Sequence, residues 1–331
     1  MSELLLPHFE PDVDIERVVI LGHMGRDSVR GYAAAWEENL TTRWPNLEVV
    51  VLPTRAGGIQ PNTELFLENQ HLFDPHTVKA KITGDGGAND LLNASVKAAE
   101  QYPHIGDAMY LFGPGGTMCD TARSLNRKRC FGNPAGILER GWLSTMHLLE
   151  LTLQIGDETE VIKAMNYPSI GGISGKVSEL INGDDYRNSP MLRTYPTKRL
   201  RQALAVLEAK RKAEPITIAE NGGEPQTLSD VLYLSGPRMA GMHNGAKQLT
   251  EPGYHRVEIK NTSWPHLALK LGRLVTGTLI PNGKPTTDET HIELMSDAIL
   301  QYDGETRALQ AGDRVAIRPG PQIRAVTTLA A

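Results

Sequence analysis

Short apolar runs, glycine-rich breaks and amphipathic stretches alternate along the N-terminal part of the chain. Arg17 to Leu21 predicts a first buried strand, followed by the loop Gly22-His23-Met24-Gly25-Arg26-Asp27, a helix from Ser28 to Thr42 and a second strand from Leu47 to Leu52. Strand, loop, helix and strand in that order begin a parallel α/β sheet. After an irregular stretch with a short helix expected around Glu64 to Gln70, a third strand runs into Thr83. From Ala88 to about Glu100, Leu91, Leu92, Val96 and Ala99 recur at helical spacing. Ala108 to Phe112 then repeats the arrangement: an apolar strand, a glycine loop, and the first turns of a helix from Asp120 to Leu125.

Beyond Leu143 the pattern shifts toward short strands, with Glu160 to Asn166 as one of them and Gly171-Gly172-Ile173-Ser174 as a break before a helix. A helix from about Thr197 to Ala213 carries Leu200, Leu204 and Leu207 at i, i+4 and i+7, which predicts an apolar buried face and a solvated basic one; the alternative is a membrane-surface contact. Strands follow at Pro215 to Ala219, Leu228 to Leu234 and Arg256 to Ile259, and a helix at about Trp264 to Val275. In the last sixty or so residues, five short runs from His291 to Val326 predict an antiparallel meander, with Asp303-Gly304-Glu305 at one of its turns. The fold expected is α/β: an open parallel-sheet nucleotide-binding domain over residues 1–137, then a mainly antiparallel β-sandwich domain over 138–331 whose last strands are free to return to the first.

The glycine loops carry the candidate chemistry. In Lys81-Ile82-Thr83-Gly84-Asp85-Gly86-Gly87, glycines able to take positive φ would let backbone N–H groups approach an anion, and the following helix would add its N-terminal partial charge. Asp85 among those glycines would repel a phosphate unless a metal ion or a reacting hydroxyl lay between them, which points to phosphoryl transfer. The second loop, Gly113-Pro114-Gly115-Gly116-Thr117, would emerge on the same sheet edge, so a nucleotide fits between the two. Arg26, in the first strand-to-helix loop, is a further phosphate-binding candidate. Each feature also has a plain structural reading: Asp-Gly is a common turn dipeptide, Thr117 suits a helix N-cap, and Asp120 is a favourable charge in a first turn.

Composition narrows the field. The 331 residues carry a formal net charge of -5, which argues against a nucleic-acid binder. Two cysteines, Cys119 and Cys130, without metal-ligand spacing argue against a disulfide framework or a structural zinc. The start lacks the pattern of a secretory signal, and no apolar run approaches the roughly 18 residues that span a bilayer. A cytoplasmic protein is expected, with membrane contact at most peripheral. A homodimer is left open.

Two motifs carry a resemblance. Pro114-Gly115-Gly116-Thr117-Met118-Cys119-Asp120-Thr121-Ala122-Arg123 resembles the Pro-x-Gly-Thr-x-Asn-Asp-x-Ala-Arg signature of the diacylglycerol kinase and sphingosine kinase catalytic domain, and residues 83–90 resemble its preceding Gly-Gly-Asp-Gly-Thr-x-x-Glu motif. Order and spacing fit, and the soluble bacterial lipid kinases are the nearest pattern. Thr83, Gly87, Asp90 and Cys119 depart from it. The resemblance implies an ATP-dependent kinase acting on a hydroxyl of a lipid such as diacylglycerol or a sphingoid base. Thr83, Gly84, Gly86, Gly87, Gly115, Gly116, Thr117 and Arg26 would hold ATP, Asp85 and Asp120 would hold Mg²⁺, and Glu305 with Asp303 would supply the general base. A kinase of a soluble alcohol or nucleotide, and a silent nucleotide-binding regulator, are the alternatives.

Overall fold

The structure, a computed structural model, describes residues 14–116, 119–187, 189–192, 195–239, 242–244, 247–260 and 285–329. Thr117 and the helix expected at 264–275 lie outside them. The N-terminal part runs β1 (Arg17–Gly22), α1 (Asp27–Arg43), β2 (Glu48–Pro53), α2 (Ile59–Glu68), β3 (Thr77–Thr83), α3 (Asp85–Ala99), α4 (His104–Asp107), β4 (Met109–Pro114), α5 (Asp120–Leu125) and α6 (Pro134–Arg140). The four strands pair in parallel in the order β2-β1-β3-β4. Their continuous apolar runs follow from burial on both faces. Val18, Ile20, Val78 and Ala80 pack under Trp36 and Leu40 of α1 and Ile137 of α6. On the opposite face Val19 and Leu21 meet Phe66 of α2 and Leu91 and Ala94 of α3.

The rest comprises β5 (Trp142–Ile155), β6 (Glu158–Ala164), β7 (Pro168–Gly171), α7 (Gly172–Asn182), α8 (Asp184–Arg187), α9 (Tyr195–Lys212), β8 (Ile216–Glu220), β9 (Gln226–Leu234), the ribbon β10 (Arg238–Met239) and β11 (Met242–His243), β12 (His255–Lys260), β13 (Thr290–Leu294), β14 (Ala298–Tyr302), β15 (Glu305–Leu309) and β16 (Arg314–Thr327). These strands are antiparallel to one another and close around a core containing Leu151 and Leu153 of β5, Ile170 of β7, Val231 of β9, Leu300 of β14 and Ile317 of β16. They join the parallel strands in one sheet, because β16 pairs along β5 and also lies parallel to β4, Ala325 opposite Tyr110.

Several expectations change. Only β14 and β15 form a hairpin in the region read as a meander; β13 pairs with β8 and β16, and β14 with β7. The two runs expected on either side of Pro319-Gly320-Pro321 are one strand, its register shifting between Pro319 and Gln322 in the manner of a bulge. Beyond Leu143, where short strands were expected, β5 is a single strand of 14 residues in which Leu148 and Leu149 interrupt the alternation. Met146 and Leu148 face one core, Leu149, Leu151 and Leu153 another. On α9 the leucine stripe is turned outward: Leu200, Leu204 and Leu207 are 54, 42 and 38% exposed, while Gln202, Ala205 and Ala209 are buried. Small alanines allow the close approach to α7 that leucines would not.

Buried polar groups mark two structural stress points. Lys79 and Lys81 of β3 are 0 and 1% exposed, and burial drives both amines well below the usual lysine range. Lys79 Nζ donates to Ser95 Oγ at 2.9 Å and to the Ile105 carbonyl at 2.6 Å, whereas Lys81 Nζ finds no hydrogen-bond partner and lies over the rings of Tyr110 and Phe112. Lys81→Met therefore stabilises the fold by about 1–3 kcal/mol, the penalty of an unsatisfied buried polar group; equilibrium urea unfolding reads the change. Asp230 of β9, also fully buried, accepts from Ser174 N at 3.0 Å and Ser174 Oγ at 2.5 Å at the start of α7. Burial raises its carboxyl to about 7. The folded state thus holds a proton that the unfolded chain releases near pH 4, so this group's contribution to stability falls as pH rises from about 4 to about 7. Asp230→Asn removes that part of the pH dependence, measured as unfolding midpoint against pH.

Candidate active site

The C-terminal ends of the parallel strands gather the loops that follow them. After β3, the chain enters α3 at Asp85, three residues earlier than the apolar spacing predicts, so Gly86 and Gly87 lie in its first turn. None of Gly84, Gly86 and Gly87 takes positive φ, contrary to expectation. They are glycines because of what approaches them. A Cβ on Gly87 would strike Thr83 Oγ1, and one on Gly86 would strike Glu305 Oε1. In the second loop a Cβ on Gly115 would lie 2.5 Å from Thr83 Cα, and one on Gly116 would overlap Gly84 Cα. The two loops therefore pack backbone against backbone. The unsatisfied first-turn amides of α3 lie beside that contact, as a helix start leaves them.

Left-handed backbone occurs one step away. Cys119, the residue before α5, has φ 52°, and its Sγ bonds with the Gly116 amide and carbonyl. This is a conformation that asparagine adopts more readily, which accounts physically for the asparagine of the resembling motif. Burial, and then Asp85, push the Cys119 thiol up to about 11, so it stays protonated.

Asp85 acts as a clamp. Its Oδ2 accepts from Asp120 N at 2.9 Å and its Oδ1 from Thr121 N at 3.1 Å, capping α5 from the neighbouring loop. Burial raises its pKa, and these two amides oppose the rise. Asp120 itself is buried in the first turn of α5. Both Asp85 oxygens are thus engaged by backbone, and among the described residues no group of three or more His, Cys, Asp and Glu side chains is placed to hold a metal ion. These bonds position one loop against the other; Mg²⁺, which takes one or two carboxylates together with water and phosphate oxygens, does not require a group of three.

The third component comes from far along the chain. β14 turns into β15 through Asp303 and Gly304, with φ of 47° and 99°, a two-residue hairpin that needs Asp-Gly for its left-handed pair. Asp303 is buried, accepting from Met165 N at 2.5 Å and Asn166 N at 2.9 Å. Burial raises its carboxyl to about 6, against the pull of those donors. Asn166 Nδ2 also donates to Thr121 Oγ1 at 2.6 Å, so Asp85, α5, Asn166 and Asp303 form one connected polar network. Asn182 at the end of α7 holds the Gly304 carbonyl at 2.9 Å. The result seats Glu305 against Gly86.

The structure thus brings Thr83, Gly84, Asp85, Gly86, Gly87, Gly115, Gly116, Asp120, Asp303 and Glu305 together. Arg26 reaches the same sheet edge but is exposed, immediately before α1. Two residues of the site had no role assigned from sequence. Asn166 has a detectable signal, an amide at the end of an apolar strand. Asp90, on α3, has its carboxyl raised to about 6 by burial and then by Glu305; it stands at the position of the resembling motif's glutamate.

Neither a family profile nor a curated protein sequence matches the chain. Its fold does have solved counterparts. A diacylglycerol kinase structure from Bacillus anthracis str. Sterne superposes with a TM-score of 0.64 at 16% identity, covering 94% of this chain and 97% of that one. Yeast NADH kinase, solved with NADH, superposes with a TM-score of 0.51 at 14% identity, covering 96% and 85%. The two-part α/β architecture, parallel strands followed by an antiparallel region, is therefore the fold of the diacylglycerol kinase and NADH kinase structures.

Proposed function

We propose that the protein is an ATP-dependent kinase that transfers the γ-phosphoryl group to a hydroxyl of a lipid such as diacylglycerol or a sphingoid base. The observation that carries this reading is the meeting of two glycine loops and the Asp303-Gly304-Glu305 hairpin at one sheet edge, with the Glu305 carboxylate against Gly86. In this reading residues 1–137 receive the nucleotide and 138–331 the acceptor. Thr83, Gly84, Gly86, Gly87, Gly115, Gly116 and the first-turn amides of α3 face the phosphates. Asp85 holds the second glycine loop's helix to the first loop, Asp303 anchors the hairpin, the Asn166–Thr121 bond links the two halves, and Glu305 takes the proton from the acceptor hydroxyl, which must be aligned with the phosphoryl group before transfer. The outward leucines of α9, on a helix whose sequence holds six lysines and arginines between Lys198 and Lys212, support an acceptor presented at a membrane. In the described residues no helix is long and apolar enough to cross one.

The yeast NADH kinase likeness favours a second reading, a soluble nucleotide acceptor. One assay separates them: ADP release from ATP with Mg²⁺, against diacylglycerol micelles, sphingosine, phosphatidylglycerol, NADH and a pool of soluble alcohols. Stimulation by a lipid is the expected result. Stimulation by NADH or the alcohol pool alone replaces the lipid with a soluble acceptor, and silence across the panel removes the kinase reading in favour of a nucleotide-binding regulator.

A further inference from the structure

At the far end of α5 from the Asp85 clamp, about 9 Å along the helix axis, the chain runs through Arg127, Lys128 and Arg129 before entering α6. A cavity of about 590 Å³ opens there, its wall including Arg127, Arg129, Asn133, Arg140 and Trp142. That volume lies within the range of small-molecule sites.

The polar side chains of this cavity are organised as donors. Arg140 Nε donates to the Gly136 carbonyl at 3.2 Å, which lays the guanidinium back along α6. Asn133 Oδ1 accepts from Gly136 N at 2.8 Å, which leaves its Nδ2 hydrogens for the same side. Gly136 makes this convergence possible, because a Cβ there would lie 2.6 Å from both Arg140 Nη2 and Asn133 Nδ2. Arg127 is fixed at its backbone, its N–H donating to Thr328 Oγ1 at 3.1 Å. Among the described residues no carboxylate lines the cavity, and the adjacent Glu139 is paired with Arg43. Among the described residues none of Arg127, Arg129 and Arg140 forms an ion pair. Three guanidinium groups and an amide, with an indole as a flat wall, match a ligand that brings only acceptors and negative charge.

We propose that this cavity is a binding site for a phosphate ester, separate from the cleft of the glycine loops. The chemistry recognised is a phosphate monoester or diphosphate group, whether carried by a soluble molecule or by a lipid headgroup. The inference does not depend on the kinase reading, since it uses none of the same residues.

The test is binding to the full chain by calorimetry with pyrophosphate as the soluble probe, and by co-sedimentation with vesicles of phosphatidic acid in phosphatidylcholine as the lipid probe. Two variants are compared with the parent: Arg127→Gln with Arg140→Gln, and the single charge reversal Arg129→Glu at an exposed position. Thermal unfolding checks that each variant is folded. Affinity at least about tenfold weaker in both variants, as expected on losing charge-assisted bonds, supports the site; loss with pyrophosphate identifies a soluble source, and loss only with vesicles a headgroup. Pyrophosphate and vesicle binding that is absent in the parent, or unchanged in folded variants because the probe occupies the glycine loops, overturns the proposal.

Discussion

On the proposed kinase reading, Glu305→Gln is expected to lower the phosphoryl-transfer rate by about 10²- to 10⁴-fold, the usual effect of removing a general base, while leaving the protein about as stable as before. The glutamine keeps the volume and the contact with Gly86, so only the proton acceptor is lost. Asp303→Asn provides the contrast. Its two oxygens accept from Met165 N and Asn166 N, and the amide replaces one acceptor by a donor facing a donor, which weakens the hairpin's anchorage. That variant should unfold at lower urea concentration, with any loss of rate following from displacement of Glu305. Single-turnover rates and unfolding curves, measured on both, separate the two roles. Undiminished turnover in Glu305→Gln would sink its assignment as the base.

Asp85→Ala destabilises the protein by about 3–6 kcal/mol, from two hydrogen bonds to a charged acceptor at roughly 1.5–3 kcal/mol each. α5 is only six residues long, and its own N-cap residue, Cys119, supplies no side-chain cap. The amides of Asp120 and Thr121 therefore depend on Asp85, and in alanine's place nothing answers them. Asp85→Asn retains one acceptor and recovers part of the loss. Urea unfolding of the three proteins measures the series; identical midpoints would show that the clamp carries no energy. The prediction also discriminates between structural and ligand-holding roles, because it is made for the protein without nucleotide.

The sequence made the parallel half legible because its strands are buried on both faces. Apolar runs such as Val18 to Leu21 and Met109 to Phe112 stand out against glycine breaks, and the predicted ends of those elements lie close to the observed ones. The antiparallel half was less legible for two physical reasons. One strand, β5, serves two cores from opposite faces, which erases the alternation. Strand partners there are set by tertiary closure: Ile299 pairs with Gly171 and with Ala308, and no local pattern announces the first of these. In the site, spacing could indicate Gly116 but not that its missing Cβ makes room for Gly84. It could indicate Asp85 but not that its acceptors face backbone amides across a loop boundary. The α9 leucines show the reverse failure, a helical stripe of the right period whose apolar side faces outward.

The position of β16 has a consequence for how the chain acquires its shape. Tyr110 in β4 is paired with Ala325 in β16, Arg324 reaches the Asp107 carbonyl and Thr328 N donates to the Leu125 carbonyl. These contacts join parts of the chain that are made far apart in time during synthesis. The edge of the N-terminal sheet beside β4 stays open until β16, about 200 residues further along, leaves the ribosome, so its closure is a high-contact-order event. Until then β4 presents an unpaired strand edge, the feature that most readily recruits a wrong partner, and it is β16 that ends that exposure.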